Sequence, residues 1–352
     1  MIRTSTPRTS TIVMADDGVV FDGYSLRAGP LGGAESAFIG LADALAERGH
    51  IVHAFTRTGT AATVGEVRWA PFDSTWPQSC DLYIANRGTA VLDRMGLARR
   101  TAFWLHNPAS YIKKWRYIRR IWRRKPVIVT AGLSHAGTVP RWMPGSRAII
   151  PLGVDAAFLD VPPREPPPPR AVFVSNPLRR LDWLLELWAR HIQPHVPRAE
   201  LHIYSSLATY HGGLDSKEWQ AAAVLSQAKG LADKGVVLHP PVSKHALAEA
   251  YADIRLFLHG GDTGETFCLA AAETQAAGIP GIVAGIASLP ERIVDGETGF
   301  VIPPDDRQQF AERAVALLKD DSLWRQQHEA CLARRHSLSW GAVVPAWEAL
   351  LP

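Results

Sequence analysis

Cysteine is scarce in this 352-residue chain: Cys80, Cys268 and Cys331 are its only three. They lie far apart and form no Cys-x-x-Cys or Cys/His ligand spacing, which argues against a disulfide framework and against a structural zinc site. That usage fits a reducing compartment. Long apolar runs are missing too: nothing approaches the roughly 20 residues of a membrane span, and the opening MIRTSTPRTSTIVMADD is too weakly apolar for a signal peptide. A cytoplasmic protein is expected. Acidic residues vanish between Arg94 and Val154, where thirteen Lys or Arg residues stand alone; against a net charge of +4 this leaves the rest of the chain at −9. One face of one domain must be strongly positive, which suits an anionic partner.

What is present is an ordinary soluble composition, 47% hydrophobic and 20% charged, in a chain too long for one typical domain. Short β-branched runs (TIVMA, IVHAFT, LYIAN, TAFWLHN, VIVTAG, AIIPLG) alternate with helix-like segments such as AESAFIGLADALAERG. Such alternation predicts parallel sheets covered by helices. The run VPPREPPPPR, 161–170, carries six prolines and can join neither a helix nor a central strand. Beyond it the series restarts with AVFVS, LDWLLELWARHI, ELHIYSS, a long helix from Ser216, VVLHPPV, KHALAEAYADI, LFLHGG and GIVAG. The expected organisation is an α/β chain with a domain over 1–160, a linker over 161–170, a second domain over 171–335, and a C-terminal helix over 336–352. That helix, with Trp340, Val344, Trp347 and Leu351 on one side, should dock back on the first domain.

In open parallel sheets ligands bind beyond the carboxyl ends of the strands, where helix N-termini present unpaired N–H groups. Two loops qualify. In GPLGGAES, Gly32 and Gly33 open the following helix and could bring backbone close to an anion; a plain flexible turn explains them equally well. In GETFCLAAAETQAAG, a helix beginning near Thr266 or Phe267 would point the N–H groups of Phe267, Cys268 and Leu269 outward. Glu265 and Glu273, eight positions apart, would stand about 12 Å from one another if wholly helical, a span that can straddle a diphosphate. The competing explanation is that Glu265 complements the helix dipole and Glu273 meets an unrelated backbone or Arg partner.

The stretch GETFCLAAAETQAAGIPGIVAGIASLPERIVDGETGFVIPPDD resembles the nucleotide-binding signature of family 4 glycosyltransferases, in which two Glu are separated by seven residues. GGAESAFIGLADALAERGHIVHAFT resembles that family's opening glycine loop and helix, and IIPLGVDAAF its domain-closing segment. The resemblance implies a GT-B fold, two Rossmann-like domains facing a central cleft, with the first holding the acceptor and the second the nucleotide sugar. It implies a retaining transfer of a sugar from a UDP- or GDP-linked donor to a glycan or lipid-linked acceptor, as in polysaccharide or lipopolysaccharide biosynthesis. Glu265 would hold donor sugar hydroxyls and Glu273 the ribose diol. Gly32, Gly33, Thr266, Phe267, Cys268 and Leu269 would cradle the diphosphate, Arg179 and Arg180 would neutralise it, and backbone near Val242 would face the base. His106, in FWLHNPAS, reads by itself as a hydrogen-bonded structural residue; the resemblance places there a His that contacts the donor sugar or its acceptor. Asn86 and Arg87 in LYIANRG would face the acceptor.

No Asp-x-Asp occurs, so the expected reaction uses no metal and no cofactor; helix N-termini and arginine would meet the phosphate charge. The rivals are a nucleotide-sugar epimerase and a non-catalytic module of the same fold that binds nucleotide sugars, polyanions or membranes. The last feature is YIKKWRYIRRIWRRK, 111–125, with eight cations and Tyr111, Trp115, Ile118 and Trp122 spaced as one stripe. That stripe can pack into the first domain or lie on an anionic membrane surface, at the inner face. Nucleic acid ranks last, since no recognised module is present.

Overall fold

The computed structural model describes residues 9–205 and 216–352. The start of the segment read above for a leader, residues 1–8, lies outside the described residues. The chain divides into two compact units: Met1–Leu26, Gly33–Gly153 and Trp340–Pro352 form the first, and Arg27–Gly32 with Val154–Ser339 the second. No helix among the described residues is long and apolar enough to cross a membrane.

The first unit is built on eight strands: β1 (Thr11–Asp16), β2 (Ile51–Thr56), β3 (Ala62–Val64), β4 (Val67–Pro71), β5 (Ser79–Asn86), β6 (Leu97–Trp104), β7 (Val127–Thr130) and β8 (Arg147–Ile149). Their order is β3-β4-β2-β1-β5-β6-β7-β8, parallel throughout except for the β3/β4 hairpin. The run VIVT of β7 is buried at all four positions, as expected of a strand covered on both faces. β1 lies between β2 on one side and β5 on the other, so strand order reverses direction there. The register aligns Asp16 with Asn86 and Asn86 with Trp104, so three strand ends finish level at that switch point.

The second unit carries six parallel strands: β9 (Arg170–Phe173), β10 (Glu200–Tyr204), β11 (Val236–His239), β12 (Leu256–His259), β13 (Gly281–Ala284) and β14 (Gly299–Ile302). Their order is β11-β10-β9-β12-β13-β14. Here the switch point lies between β9 and β12. Its core is a cluster of Leu, Ile, Phe, Trp and Ala side chains contributed by β9, β10, β12 and the helices Leu181–Leu187 and Arg307–Lys319.

Several elements differ from the sequence reading. β3, β4 and β14 were not anticipated: two are short, and β14 follows directly on a Gly-rich turn. The unit boundary falls between Gly153 and Val154, ahead of the proline run. The run belongs to the second unit because Arg164, within it, donates hydrogen bonds to the carbonyls of Ala277 (2.9 Å), Tyr251 (3.0 Å) and Ile254 (3.2 Å). The basic stretch folds as a short 3₁₀ turn, Ala109–Lys113, followed by the helix Trp115–Arg124. Its buried face is Tyr117 and Ile121, whereas Trp115 and Trp122 are 74% and 67% exposed. The expected stripe is split: Tyr111 and Ile118 pack against the core while Trp115 and Trp122 face solvent, and Arg120, Arg123 and Arg124 all reach Asp93 on the neighbouring helix Thr89–Arg94.

The C-terminal helix, Trp340–Glu348, belongs to the first unit and packs on the helix Gly33–Glu47. Trp347 is fully buried, edge-on to Trp104 with ring centroids 5.0 Å apart. Beside it Glu348 accepts from Arg48 (2.9 Å) and meets His50 at 3.2 Å. Gly40 has no side chain because a Cβ there would run into the Trp340 ring. Truncating Trp347 to Ala removes a large buried side chain whose surroundings can collapse only in part. Urea unfolding should register a loss of about 3–5 kcal/mol; a loss under about 1 kcal/mol would mean that this helix contributes little to the first unit.

Candidate active site

The second unit's site begins where β12 stops. After His259 the chain turns through Gly260 and Gly261, and both glycines are required. A Cβ on Gly260 would lie 3.1 Å from the Arg180 Cβ and the Trp183 ring, and Gly261 has φ +78°. The Asp262 carboxylate then accepts from the Gly264 N–H at 2.7 Å and holds the next turn, delivering Glu265 to the switch point. From the other side, β9 leads into a turn in which Asn176 accepts from the Leu178 N–H at 2.8 Å, and this turn presents Arg179.

Glu265 is buried, 6% exposed, and both of its oxygens have partners. One carboxylate oxygen accepts from Arg179 and faces His259 Nε2 at 3.5 Å; the other accepts the Cys268 N–H at 3.1 Å. Burial opposes its ionisation, but the neighbouring His259 ring and the Arg179 guanidinium outweigh burial and hold the carboxyl at about 2. The group is an anion at every physiological pH. A carboxylate offers about four acceptor sites, so these contacts leave room for one more donor.

The helix itself starts at Leu269, later than the sequence suggested, and runs to Ala276. Its N-cap, Cys268, is left-handed at φ 62° with a buried side chain. The N–H of Cys268 therefore serves Glu265 in this structure, and the first-turn N–H groups that open the helix are those of Leu269 and Ala270. These two residues are partly exposed, while the rest of the helix is buried. Thr266 and Phe267 are buried beside them. Arg292 stands 4.3 Å over the Phe267 ring and adds a cation that was not foreseen. Arg180 turns away from Glu265: it pairs with Asp305 and lies 4.7 Å over the Trp183 ring.

Glu273 sits one turn deeper, 1% exposed, with one oxygen 2.6 Å from Lys244 Nζ. Its Oε2 has no hydrogen-bond partner, nor does the buried Tyr251 hydroxyl. Burial raises its pKa above the usual carboxylate range, and Lys244 offsets this only in part. A buried acceptor left open is costly unless a ligand satisfies it. Lys244 is placed by Ser243, which caps the helix Lys244–Ala250; half-buried Val242 precedes that cap in the loop after β11. Ligand atoms of His259, Glu265 and Cys268 fall within 4.8 Å of one another, a grouping that could hold a metal ion. Arg179 already compensates Glu265, and burial pushes the Cys268 thiol well above its ordinary range, so a cation would have to displace the first and deprotonate the second.

The first unit has its own polar centre at the ends of β1 and β5. Asp16, fully buried, accepts from Asn86 (2.6 Å), from Arg87 (2.7 Å) and from the Gly18 N–H (2.7 Å). Arg87, left-handed at φ 57°, also reaches Glu35 at 2.8 Å on the helix that Gly33 opens. Asn86 Oδ1 is buried without a partner. His106 follows β6 with its ring 4.5 Å from Trp104; burial, and then the Arg87 charge, hold it well below the ordinary histidine range, so it stays neutral. Gly32 ends the segment grouped with the second unit, one residue before Gly33.

The structure thus joins Glu265, Arg179 and Cys268 around one carboxylate, pairs Glu273 separately with Lys244, and leaves Arg180 outside both. His259, Lys244, Arg292, Asp16 and Glu35 were missed. Only His259, Asp16 and Glu35 carried a signal, two at strand ends and one in the GGAE turn.

Two parallel sheets with polar centres at both switch points define the class: the fold is that of GT-B glycosyltransferases. The chain aligns over 97% of its length with 98% of sucrose-phosphate synthase from Thermosynechococcus elongatus (TM-score 0.73, 17% identity). It aligns over the same share with 99% of HepE from Anabaena, determined in complex with UDP-glucose (TM-score 0.71, 14% identity). Residues 168–320, within the second unit, match the family model described as glycosyl transferases group 1. Among curated proteins, the D-inositol 3-phosphate glycosyltransferase of Thermomonospora curvata is 31% identical over 173 residues, 48% of this chain and 38% of that protein. The matched stretches span between 17% and 38% of the curated relatives' lengths.

The depressed pKa of Glu265 has a direct readout. Its stabilisation is complete above the ordinary value of 4.5 and is lost as pH falls toward 2. In urea unfolding, Glu265→Gln should cost about 3 kcal/mol near neutral pH, at ~1.36 kcal/mol per pKa unit, and almost nothing near pH 2. A deficit that stays constant with pH would mean that ionisation of Glu265 is not what the site stabilises.

Proposed function

We propose that the protein is a retaining glycosyltransferase that moves a hexosyl group from a UDP- or GDP-linked sugar to a glycan or lipid-linked acceptor without a metal ion. The observation that carries this reading is the pair of buried carboxylates flanking one helix N-terminus: Glu265 with an acceptor site to spare, and Glu273 with Oε2 unpartnered. Both wait for hydroxyls. In this reading the ribose diol reaches Glu273, and the diphosphate lies against the N–H groups of Leu269 and Ala270. Glu265 then accepts a hydroxyl of the donor sugar, and Val242 lies near the base.

Transfer breaks the bond between the anomeric carbon and the diphosphate oxygen and leaves an additional negative charge on the phosphate. Arg179, anchored by Glu265, and the helix N-terminus are fixed before the reaction and meet that charge without reorganising. Arg292 adds positive potential; Arg180, paired with Asp305, serves to shape the loop. His106 as a neutral ring contacting substrate remains part of the proposal, as do Asn86 and Arg87 for the acceptor. A peripheral position on the inner face of a membrane goes with the lipid-linked version of the reading.

A panel of UDP-, GDP- and ADP-sugars, read by thermal shift and nucleotide release, tests the proposal; no stabilisation by any donor would sink it. With the donor identified, Glu273→Ala should weaken nucleotide binding by about tenfold or more, equivalent to ~1.4 kcal/mol. Glu265→Ala should abolish transfer, and His106→Ala should lower it. Turnover should be unchanged by a chelator, and a dependence on added divalent ion would contradict the metal-free mechanism.

A further inference from the structure

Three metal-ligating side chains meet beyond the carboxyl end of β12: one ligand atom from each of His259, Glu265 and Cys268 lies within 4.8 Å of the other two. A single point can therefore stand no more than about 2.8 Å from all three, and zinc bonds of about 2.0–2.3 Å need only a small inward closure. The transfer reading takes Glu265 alone of the three as a substrate contact, and it gives the Cys268 thiol nothing to do. His259 Nε2 is fully buried, has no hydrogen-bond partner among the described residues, and faces the Glu265 carboxylate at 3.5 Å. The ring stands edge-on to Phe173 and Phe257, with centroids 5.6 and 5.9 Å away, so its direction is set before any ion arrives.

The donor set decides which ion fits. Imidazole and thiolate beside one carboxylate suit zinc or cobalt, whereas magnesium takes oxygen ligands. We propose that His259, Glu265 and Cys268 form a latent site for a thiophilic divalent ion such as Zn2+, entered when Arg179 swings away from Glu265. Arg179 is the member that moves: its side chain is 33% exposed, against 6% for Glu265 and none for His259, so it has a path to water. Glu265, His259 Nε2 and Cys268 Sγ then bond to the ion, and water takes the fourth position. As the sulfur bond forms, the thiol proton leaves to solvent. The ring proton moves to Nδ1, which gives up the long 3.5 Å contact from the Gly261 N–H. Two anionic ligands balance the two positive charges, so the buried cluster stays neutral without Arg179. The Glu265 oxygen that accepts the Cys268 N–H at 3.1 Å keeps that bond and holds the cysteine in place. An ion seated here takes the spare acceptor site of Glu265 and removes Arg179 from the phosphate. It therefore blocks transfer, a consequence that rests on the transferase reading, as binding itself does not.

The test is titration of the metal-free full chain with Co2+, whose bond to a thiolate gives a charge-transfer absorption in the near ultraviolet. One equivalent should bind with that band; Zn2+ should displace it, and Mg2+ should not. Cys268→Ser should abolish the band, while Cys80→Ser and Cys331→Ser keep it. Arg179→Gln should tighten binding by about tenfold or more, because the ion no longer competes with the guanidinium. That variant changes the most exposed member of the cluster and keeps the test independent of whether Cys268→Ser folds. Absence of the thiolate band, a band that survives Cys268→Ser, or binding that is unchanged or weaker in Arg179→Gln overturns the proposal. The spectrum needs neither donor nor acceptor, so its outcome is separate from that of the transferase reading.

Discussion

Everything in the second unit's site depends on keeping one carboxylate ionised where water cannot reach it. Glu265 is 6% exposed, and an unpaired anion there would cost several kcal/mol. The chain meets that cost with groups from three places: Arg179 from the turn after β9, His259 from the end of β12, and the backbone N–H of Cys268, which adopts a left-handed conformation to provide it. Each contact also fixes a piece of loop. The result ties the two strands that flank the switch point and sets the first turn of the following helix, with Leu269 and Ala270 partly open to solvent.

The first unit solves a related problem with the charges exchanged. There the hub is a half-buried cation, Arg87, held between the buried carboxylates of Asp16 at the end of β1 and Glu35 on the opening helix. Both hubs lie at the point where strand order reverses, which is where a parallel sheet leaves a crevice between diverging loops. Of the six non-glycine residues with left-handed backbone among the described residues, Arg87, Arg180 and Cys268 belong to these loops. Such conformations persist only where surrounding contacts enforce them, and they cluster where function is built.

Much of the fold was legible because it rests on local pattern. Runs such as VIVT and LFLH, bounded by turns and separated by helical segments, can become only buried parallel strands. Ala62–Val64 escaped because three residues are too few to show a period, and Gly299–Ile302 because it opens on a glycine directly after a turn. Within the site, Glu265 and Arg179 could be named from the ordered motifs, but their contact joins residues 86 apart and no spacing reveals it. Lys244 and Arg292 were invisible for the same reason. The basic helix shows the limit most clearly. Trp115/Ile118/Trp122 and Tyr117/Ile121 are both periodic at helical spacing, so composition favoured the stripe with more aromatic surface. Asp93, more than twenty residues upstream, collects three arginines on one side.

The central claim is that the carboxylate-anchored helix N-terminus in the second unit receives the diphosphate of a nucleotide. Hydrogen exchange by mass spectrometry, with and without a saturating nucleoside diphosphate, addresses it without knowledge of sugar or acceptor. The account predicts slowed exchange in peptides covering 174–180 and 259–273, the two loops joined at Glu265 and the helix they set. Protection confined to the first unit, or none in these two loops while the nucleotide demonstrably binds, would contradict it.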